Sequence, residues 1–558
     1  MRRLAVAAAL VMIASMAVPA AGRQTLEACT GEGTPTLSFG GSLSEDYEGS
    51  YLMVPFRVPR GTTKVTVRLC HDQPDSPTSA EIKHTLDLGI YDKRGPNGFF
   101  DRDGFRGWGG SSRLDVSISP EAATVGFIPG VIPPGEWAAE IGIAAIVGVP
   151  FGDPDGSVEW RLDVLLGRDP ADAMPRWRPA AYNPTPASTK PAWYRGDFHV
   201  HAEHSSPNDA TMAETFDYAF GARPEGAGLD FIALSDYVTR RHWAEIGRYQ
   251  AAYPGKLIIR SAEVITYRGH INNHASVRYV DHRTGPIFEL RGDSIEQLRD
   301  AQPASRIFDA IHAAGGFTQV NHPTIFPSVI PGFNNLCRGC PWDYTDAETD
   351  WNKVDAFEVS TGPGGTSEPA GHELGPNPFT PLAIQMFDEL HGEGFDITAV
   401  GSSDSHHAGG GNGTTQSPIG EATTVVYARE LSEKGIERAI LAGRAYVKFF
   451  GADGPDLRFS AEGPDGSTAM MGGSIAASEA AFTVQVLGAA PGPEVRTLVI
   501  MRDGLPYLAV PVTGAEFTYD FRSSGPGDYR LQLQRGSAIE ALSNPITVSG
   551  DTDTRQQR

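Results

Sequence analysis

Hydrophobic positions along the chain follow two rhythms. Between residues 25 and 167, short runs such as Tyr51-Leu52-Met53-Val54-Pro55-Phe56 and Lys64-Val65-Thr66-Val67-Arg68-Leu69 recur, and the second alternates polar and apolar positions strictly. A period of two puts alternate side chains on one face, so such runs predict half-buried strands. Turn formers, Arg94-Gly95-Pro96-Asn97-Gly98 and Pro133-Pro134-Gly135, separate them. Short strands with dense turns predict an N-terminal β-sandwich over 25–167. Residues 168–191, rich in Pro and Ala, predict a linker.

From 192 to 450 the rhythm changes. Ala304 to Ala314 places Ile307, Ala310 and Ile311 on one helical face and stops at Gly315-Gly316; Leu382 to Leu390 and Leu431 to Leu441 read the same way. Helical stretches alternating with strand-like ones predict an α/β layer or barrel. Period two returns between 453 and 549, as in Ala481-Phe482-Thr483-Val484-Gln485-Val486 and Arg496 to Met501. That predicts a smaller C-terminal β-sandwich, followed by a polar tail at 550–558.

Composition narrows the classes. With 558 residues, 40% hydrophobic and 20% charged, the chain is long enough for about three domains and too apolar for global disorder. A formal net charge of −22 repels phosphodiester backbones and argues against nucleic acid as a partner. Arg2 and Arg3, an apolar stretch from Leu4 to Val18 and the small residues Pro19-Ala20-Ala21-Gly22 predict a cleaved export signal at 1–22. The apolar run is shorter than the roughly 20 residues of a spanning helix, so no membrane insertion is expected and the destination is periplasmic or extracellular. The four cysteines suit that oxidising setting. They allow three connectivities, of which local pairing, Cys29–Cys70 and Cys337–Cys340, is preferred over a zinc knuckle because there is a single Cys-x-x-Cys pair.

Thirteen of the 15 histidines fall between 199 and 407. Trp193 to Phe198 leads into His199-Val200-His201, two imidazoles on one strand face. Leu229 to Leu234 ends at Ser235-Asp236, and Leu257-Ile258-Ile259 is followed by Glu263. Gly316 to Val320 ends at Asn321-His322-Pro323. Val354 to Val359, which contains Glu358, ends at Ser360, and Ile397 to Val400 is followed by Asp404-Ser405-His406. Six apolar runs thus end in polar or ligand-type residues, as at the carboxyl face of a barrel. Mixed imidazole and carboxylate donors suit hard and borderline divalent cations. A glutamate between histidine-bearing strands can bridge two of them, and a hydroxide shared by two cations is a nucleophile at neutral pH.

In order, His199-Val200-His201, Asp236, Glu263, Gly269-His270-Ile271-Asn272, Asn321-His322-Pro323 and Asp404-Ser405-His406 resemble the motifs of the PHP (polymerase and histidinol phosphatase) superfamily, most closely its CehA/McbA-like metallohydrolase branch. The resemblance covers about 192–450. It implies a distorted (β/α)7 barrel, here flanked by the two sandwiches, and two or three divalent ions (Zn, Mn or Fe). It also implies hydrolysis of a small-molecule ester: a phosphate ester first, a carbamate or carboxylic ester as the alternative. His199, His201 and Asp404 would hold one ion. Glu263 would bridge to a second ion on His270 and His322, with His406 available to a third. The usual Thr-Asp-His is here Ser235-Asp236-Tyr237, which removes a ligand and favours a binuclear site. Asp236 then becomes a general acid or base or orients a histidine, His204 and His406 become proton donors, and Arg268 could neutralise a substrate oxygen. Asn272 and His274 are expected to be supporting or structural, and His242, His282, His312, His372 and His391 non-functional. A serine hydrolase is disfavoured by the lack of Gly-x-Ser-x-Gly. A secreted metal-holding or ligand-binding protein with an inactive barrel is the non-enzyme alternative. The sequence does not choose an oligomeric state.

Overall fold

The computed structural model describes residues 26–74, 83–148, 155–330, 337–361, 379–410, 417–489, 495–523 and 525–550. The expected export signal, His372 and all but the first residue of the polar tail lie outside them. In the N-terminal part, strands Leu37–Ser44, Ser157–Gly167, Lys64–His71 and Asp115–Ile118 form a four-stranded antiparallel sheet. A second sheet is built on Tyr51–Val58, Gly135–Ala145, Thr85–Tyr91 and Phe105–Trp108. Val65, Val67 and Leu69 of the first sheet and Leu52, Val54 and Phe56 of the second share one apolar core, with Trp137 fully buried inside it. The second sheet is completed from far along the chain: Ile287–Arg291 runs parallel to Tyr51–Val58 and carries Ser294–Arg299 on its other edge. Cys29 is bonded to Cys70, and Cys337 to Cys340.

Strands Ala192–Val200, Phe231–Leu234 and Leu257–Thr266 are parallel neighbours. Gly269–His274 turns back antiparallel and is followed across the sheet by Phe317–Val320, Ala356–Thr361 and Thr398–Ser402. The far end of this run returns to the near one. Val200 bridges Ser405, Asp404 N–H donates to His199 O at 2.9 Å, and His201 N–H donates to Ser405 O at 2.9 Å. Helices Met212–Phe220, Trp243–Ile246, Ser305–Ala313, Thr380–Gly392 and Glu433–Ile440 are those among the described residues. Met212–Phe220 starts with a Thr211/Glu214 capping box, which satisfies two of its free N–H groups. The expectation of seven strand–helix units is not what the pairing gives, because Leu257–Thr266 and Gly269–His274 form a plain hairpin. The architecture is mixed α/β, rich in sheet and poor in helix.

Residues 168–191 are laid along this layer: Ala180 N–H donates to Ala244 O, Tyr182 Oη–H to Ile258 O, and Ser188 bridges Leu431. At its other edge Ala445–Lys448 pairs with Ala538–Ser543, which continues into Gly527–Arg535, Arg496–Arg502 and Leu505–Pro511. Asp456–Glu462, Thr468–Met470, Ala481–Leu487 and Glu516–Arg522 form a four-stranded sheet over it, burying Phe459, Phe482 and Val484 with Leu498, Ile500 and Leu531. Among the described residues no helix is long and apolar enough to cross a membrane.

The N-terminal part also reaches the α/β layer. Tyr51, Met53, Tyr91, Phe105 and Trp108 form one cluster with Val238, Tyr279 and Ile287. Buried Arg113 donates to the backbone carbonyls of Glu203, His204 and Ser205, the segment that follows His201.

Candidate metal centre

Strand geometry brings the two imidazoles of His199-Val200-His201 together, with their Nε2 atoms 3.1 Å apart. Asp404 arrives by the backbone pairing that closes the sheet ends, and its Oδ1 lies 3.0 Å from His201 Nε2 and 3.3 Å from His199 Nε2. Asp197 pins that approach: it accepts from the N–H groups of His199 and Ser403 through Oδ1 and from Gly420 N–H through Oδ2. Asp404 and His322 both sit at positive φ, +52° and +29°, a backbone state that costs non-glycine residues energy and is concentrated at functional sites.

Glu263 is the centre of the cluster. Its Oε1 stands 3.2 Å from His270 Nδ1, 3.3 Å from His199 Nε2 and 3.4 Å from His322 Nε2, while Oε2 faces His201 Nε2 at 3.6 Å. The strand runs on to Thr266, so Glu263 projects from mid-strand and not from its end. Asn321 Nδ2 donates to Glu263 Oε1 and to Asn272 Oδ1, both at 3.0 Å, giving Asn272 a supporting place. His406 stacks on His201 with centroids 4.2 Å apart and places Nε2 3.7 Å from Asp404 Oδ1. Tyr237, standing where the resemblance expects histidine, brings its hydroxyl 3.2 Å from His406 Nε2.

Two predicted residues, His204 and Arg268, lie elsewhere in role, while Asp236 takes the orienting role among those expected of it. Asp236 accepts from Ala202 N–H and Ser205 Oγ–H through Oδ1 at 2.7 and 2.8 Å, and Ser205 Oγ lies 2.8 Å from His201 Nδ1. The carboxylate therefore orients His201 through a hydroxyl. Burial pushes its pKa up to about 7, against the lowering that neighbouring cations alone would give. His204 turns away: its Nδ1 accepts from Gly126 N–H and its Nε2 faces Glu245 Oε2 at 3.4 Å. Arg268 is held by Glu348 at 2.6 Å and lies over the Tyr344 ring. His242, His282, His312 and His391 bond to Ser261 O, Glu140, Asp355 and Ile397 O, and His274 to Gln319.

Two acidic partners carry roles that the sequence did not assign: Glu358, noted only as part of an apolar run, and Asp209. Fully buried Glu358 accepts from His322 N–H at 2.6 Å, and its Oε1 faces His199 Nδ1 at 3.6 Å; among the described residues neither of those last two atoms has a hydrogen-bond partner. A carboxylate inside the apolar run Ala356-Phe357-Glu358-Val359 was the available signal. Asp209, which accepts from His406 Nδ1 at 2.9 Å, sits in a polar loop that carries none.

The electrostatics follow from this crowding. Burial alone would lower His199, but Asp404, Glu263 and Glu358 outweigh it and hold its pKa well above the ordinary imidazole value. Burial alone would raise Glu263, yet His199 and His270 hold it well below the usual carboxylate range. Burial and then the neighbouring His406 lower His201. So many donors in a dry space fit a divalent cation, whose charge would replace the protons that otherwise compensate them. The donor atoms of His199, His201 and Glu263, of His199, His322 and Asp404, and of His201, Asp404 and His406 converge closely enough to hold an ion; those of His270, His322 and Cys340 also converge, with the Cys340 sulfur bound in its disulfide.

A mixed α/β scaffold presenting clustered histidine and carboxylate donors is thus what the chain builds. No protein-family model and no curated protein matches it. A solved two-domain protein from Bacteroides vulgatus, described as containing a predicted PHP-like metal-dependent phosphoesterase, overlaps 67% of this chain and 99% of its own length, at 17% identity and a TM-score of 0.33. An engineered protein overlaps 41% of this chain and 54% of its own, at 11% identity and a TM-score of 0.13.

Proposed function

We propose that this chain is an exported, metal-dependent hydrolase of phosphate esters, a PHP-type enzyme of the CehA/McbA-like branch. The observation that carries the reading is the position of Glu263, with one carboxylate oxygen within 3.4 Å of His199, His270 and His322 nitrogens and the other turned to His201. His199, His201 and Asp404 would hold one cation, His270 and His322 a second, and Glu263 would span them. The return of Asp404 to the His199 strand supports a closed, barrel-like layer over 192–450, in which the Leu257–Thr266/Gly269–His274 hairpin interrupts the strand–helix alternation. The flanking sandwiches (25–167 and 453–549), the linker and the export signal complete the proposed organisation. When bound, the cations activate water and stabilise charge developing on the ester oxygens. Asp236 and Ser205 orient His201. Asp209 holds His406 Nδ1, so that its Nε2, beside Tyr237 Oη, is placed to move a proton toward a leaving group.

A carbamate or carboxylic ester is the second reading. It is favoured by the commitment of Arg268 to Glu348, which withdraws the guanidinium best suited to a phosphate dianion. The test is metal content by mass spectrometry together with turnover of p-nitrophenyl phosphate, bis-p-nitrophenyl phosphate, 1-naphthyl acetate and 1-naphthyl N-methylcarbamate. About two ions per chain, lost with turnover in Glu263→Ala, is the expected result, and the preferred substrate separates the readings. Turnover indifferent to Glu263→Ala would overturn the mechanism, and bound metal without turnover would leave a metal-holding protein.

A further inference from the structure

The segment Cys337 to Asp343 covers one half of the metal centre. Arg338 O accepts from His270 Nε2 at 3.2 Å, and Cys340 O accepts from His322 Nδ1 at 3.1 Å. These two bonds use the ring nitrogens that point away from Glu263, leaving His270 Nδ1 and His322 Nε2 to face its Oε1. The segment is braced on both sides: Trp342 N–H donates to Pro323 O and Asp343 N–H to Arg268 O, each at 2.8 Å. Gly339, at φ +77°, passes so close to Thr266 O that a Cβ would lie 2.1 Å from it. Within this cover Cys340 is 6% exposed, and its Sγ lies within 4.8 Å of donor nitrogens of both His270 and His322. Cys337 is the more exposed of the pair.

We propose that Cys337 and Cys340 form a redox switch on the metal centre. Closed, the disulfide holds the two carbonyls that orient His270 and His322; opened, it supplies the Cys340 thiolate as a third donor beside those imidazoles. This rests on the metal-centre reading above. The opening step needs a dithiol. One thiolate of the dithiol attacks Cys337 Sγ, the Cys337–Cys340 bond breaks, and Cys340 leaves as a thiolate. The second thiol of the dithiol then resolves the mixed disulfide, so the dithiol is oxidised by two electrons and Cys337 is released as a thiol. A sulfur donor converts a site of nitrogen and oxygen into one favouring softer ions such as zinc or cobalt.

The test is cobalt(II) titration of the full-length protein, followed by its thiolate-to-cobalt charge-transfer absorption in the near ultraviolet. Wild type, Cys337→Ser and Cys340→Ser are compared, each before and after a dithiol, with circular dichroism to confirm folding. Both variants lose the same bond and share its cost in stability, but only Cys337→Ser keeps a thiol beside the imidazoles. The band is expected in Cys337→Ser and in reduced wild type, and absent from oxidised wild type and from Cys340→Ser in either state. That last control discounts thiols released from Cys29–Cys70. Cobalt uptake by oxidised wild type with no band on reduction or in Cys337→Ser overturns the switch alone. No cobalt uptake in any state overturns the metal centre itself.

Discussion

Ser205 Oγ lies 2.8 Å from His201 Nδ1 and donates its own proton to Asp236 Oδ1. A hydroxyl has one proton to give, so with Asp236 ionised the oxygen accepts from His201 Nδ1–H. That fixes the tautomer: the lone pair of His201 is on Nε2, aimed at Asp404 and the Nε2 of His199. Ser205→Ala removes the acceptor and frees the imidazole to take the other tautomer. Metal affinity of the His199–His201 half is expected to fall about 10- to 100-fold, with a stability loss of about 1–3 kcal/mol because Asp236 Oδ1 and Tyr237 N–H lose a buried partner. Competition with a chromophoric chelator measures the affinity, and an unchanged value would refute the relay.

Arg113 tests whether the N-terminal part is needed to keep that relay in place. It crosses from one part of the chain to the other to donate to Ser205 O at 2.6 Å and His204 O at 3.2 Å, as well as to Glu203 O. Arg113→Ala leaves these carbonyls without their donor, at a cost of about 3 kcal/mol, or about 6–12 °C in melting temperature. Arg113→Lys, which cannot fork across three acceptors, should recover only part of it. Scanning calorimetry of both variants decides the matter; an Arg113→Ala protein as stable as wild type would show that the contact is incidental.

Part of the pH effect should originate outside the metal centre. Asp87, on strand Thr85–Tyr91 of the N-terminal sheet, is buried and accepts from Tyr267 Oη–H at 2.7 Å; burial pushes its pKa from 3.8 up to about 7. An acid whose folded pKa is raised keeps its proton in the folded state while the unfolded chain has lost it. Its contribution is therefore complete below the unfolded value and is lost as pH rises toward 7, by up to about 4 kcal/mol. Asp197 and Asp236 are raised by burial in the same sense, to about 6 and 7, so the total slope is shared. Asp87→Asn, which keeps an acceptor for Tyr267 and carries no charge, should gain on wild type between pH 5 and 8. Parallel melting curves for the two proteins across that range would sink the assignment.

Much of this was legible because local rules and the final fold agree. Ala481–Leu487 alternates as written and Ser305–Ala313 follows its apolar stripe, whereas Lys64–His71 is a strand that buries Thr66 and Arg68 along with Val65, Val67 and Leu69. The ligand-type residues were readable because each stands in or just beyond a strand, and parallel strands deliver such ends to one place. What was hidden depends on distant partners. Arg268 reads as a free loop cation until Glu348 arrives eighty positions later. Ile287–Arg291 belongs to the N-terminal sheet because of a register with Tyr51–Val58 that no local pattern encodes. Helix Met212–Phe220 was missed although its capping box and its buried Met212, Phe216 and Ala219 were present in the sequence.

Glu358 is the strongest case of a residue whose role only the fold reveals. One of its oxygens is satisfied by His322 N–H at 2.6 Å; the other stands 3.6 Å from His199 Nδ1, both atoms buried and without a hydrogen-bond partner among the described residues. As a carboxylate it can only accept, so it favours a proton on His199 Nδ1 and leaves the Nε2 lone pair to Asp404, Glu263 and any cation between them. Glu358→Gln keeps the volume and, with its oxygen toward His322, turns an N–H donor on His199 Nδ1. The imidazole then accepts there and carries its proton on Nε2, pointing into the cluster where a cation would bind. Metal affinity should fall about 10- to 100-fold while the fold persists. The His199 ring nitrogens, followed by nitrogen-15 chemical shifts in the metal-free protein at a pH above the raised His199 titration, should exchange their protonated and unprotonated signatures. Glu358→Ala, which abandons both contacts, should lose stability as well as affinity. If the glutamine variant binds metal as tightly as wild type with an unaltered tautomer, Glu358 serves packing and the His322 backbone, and the orientation of His199 must come from its strand alone.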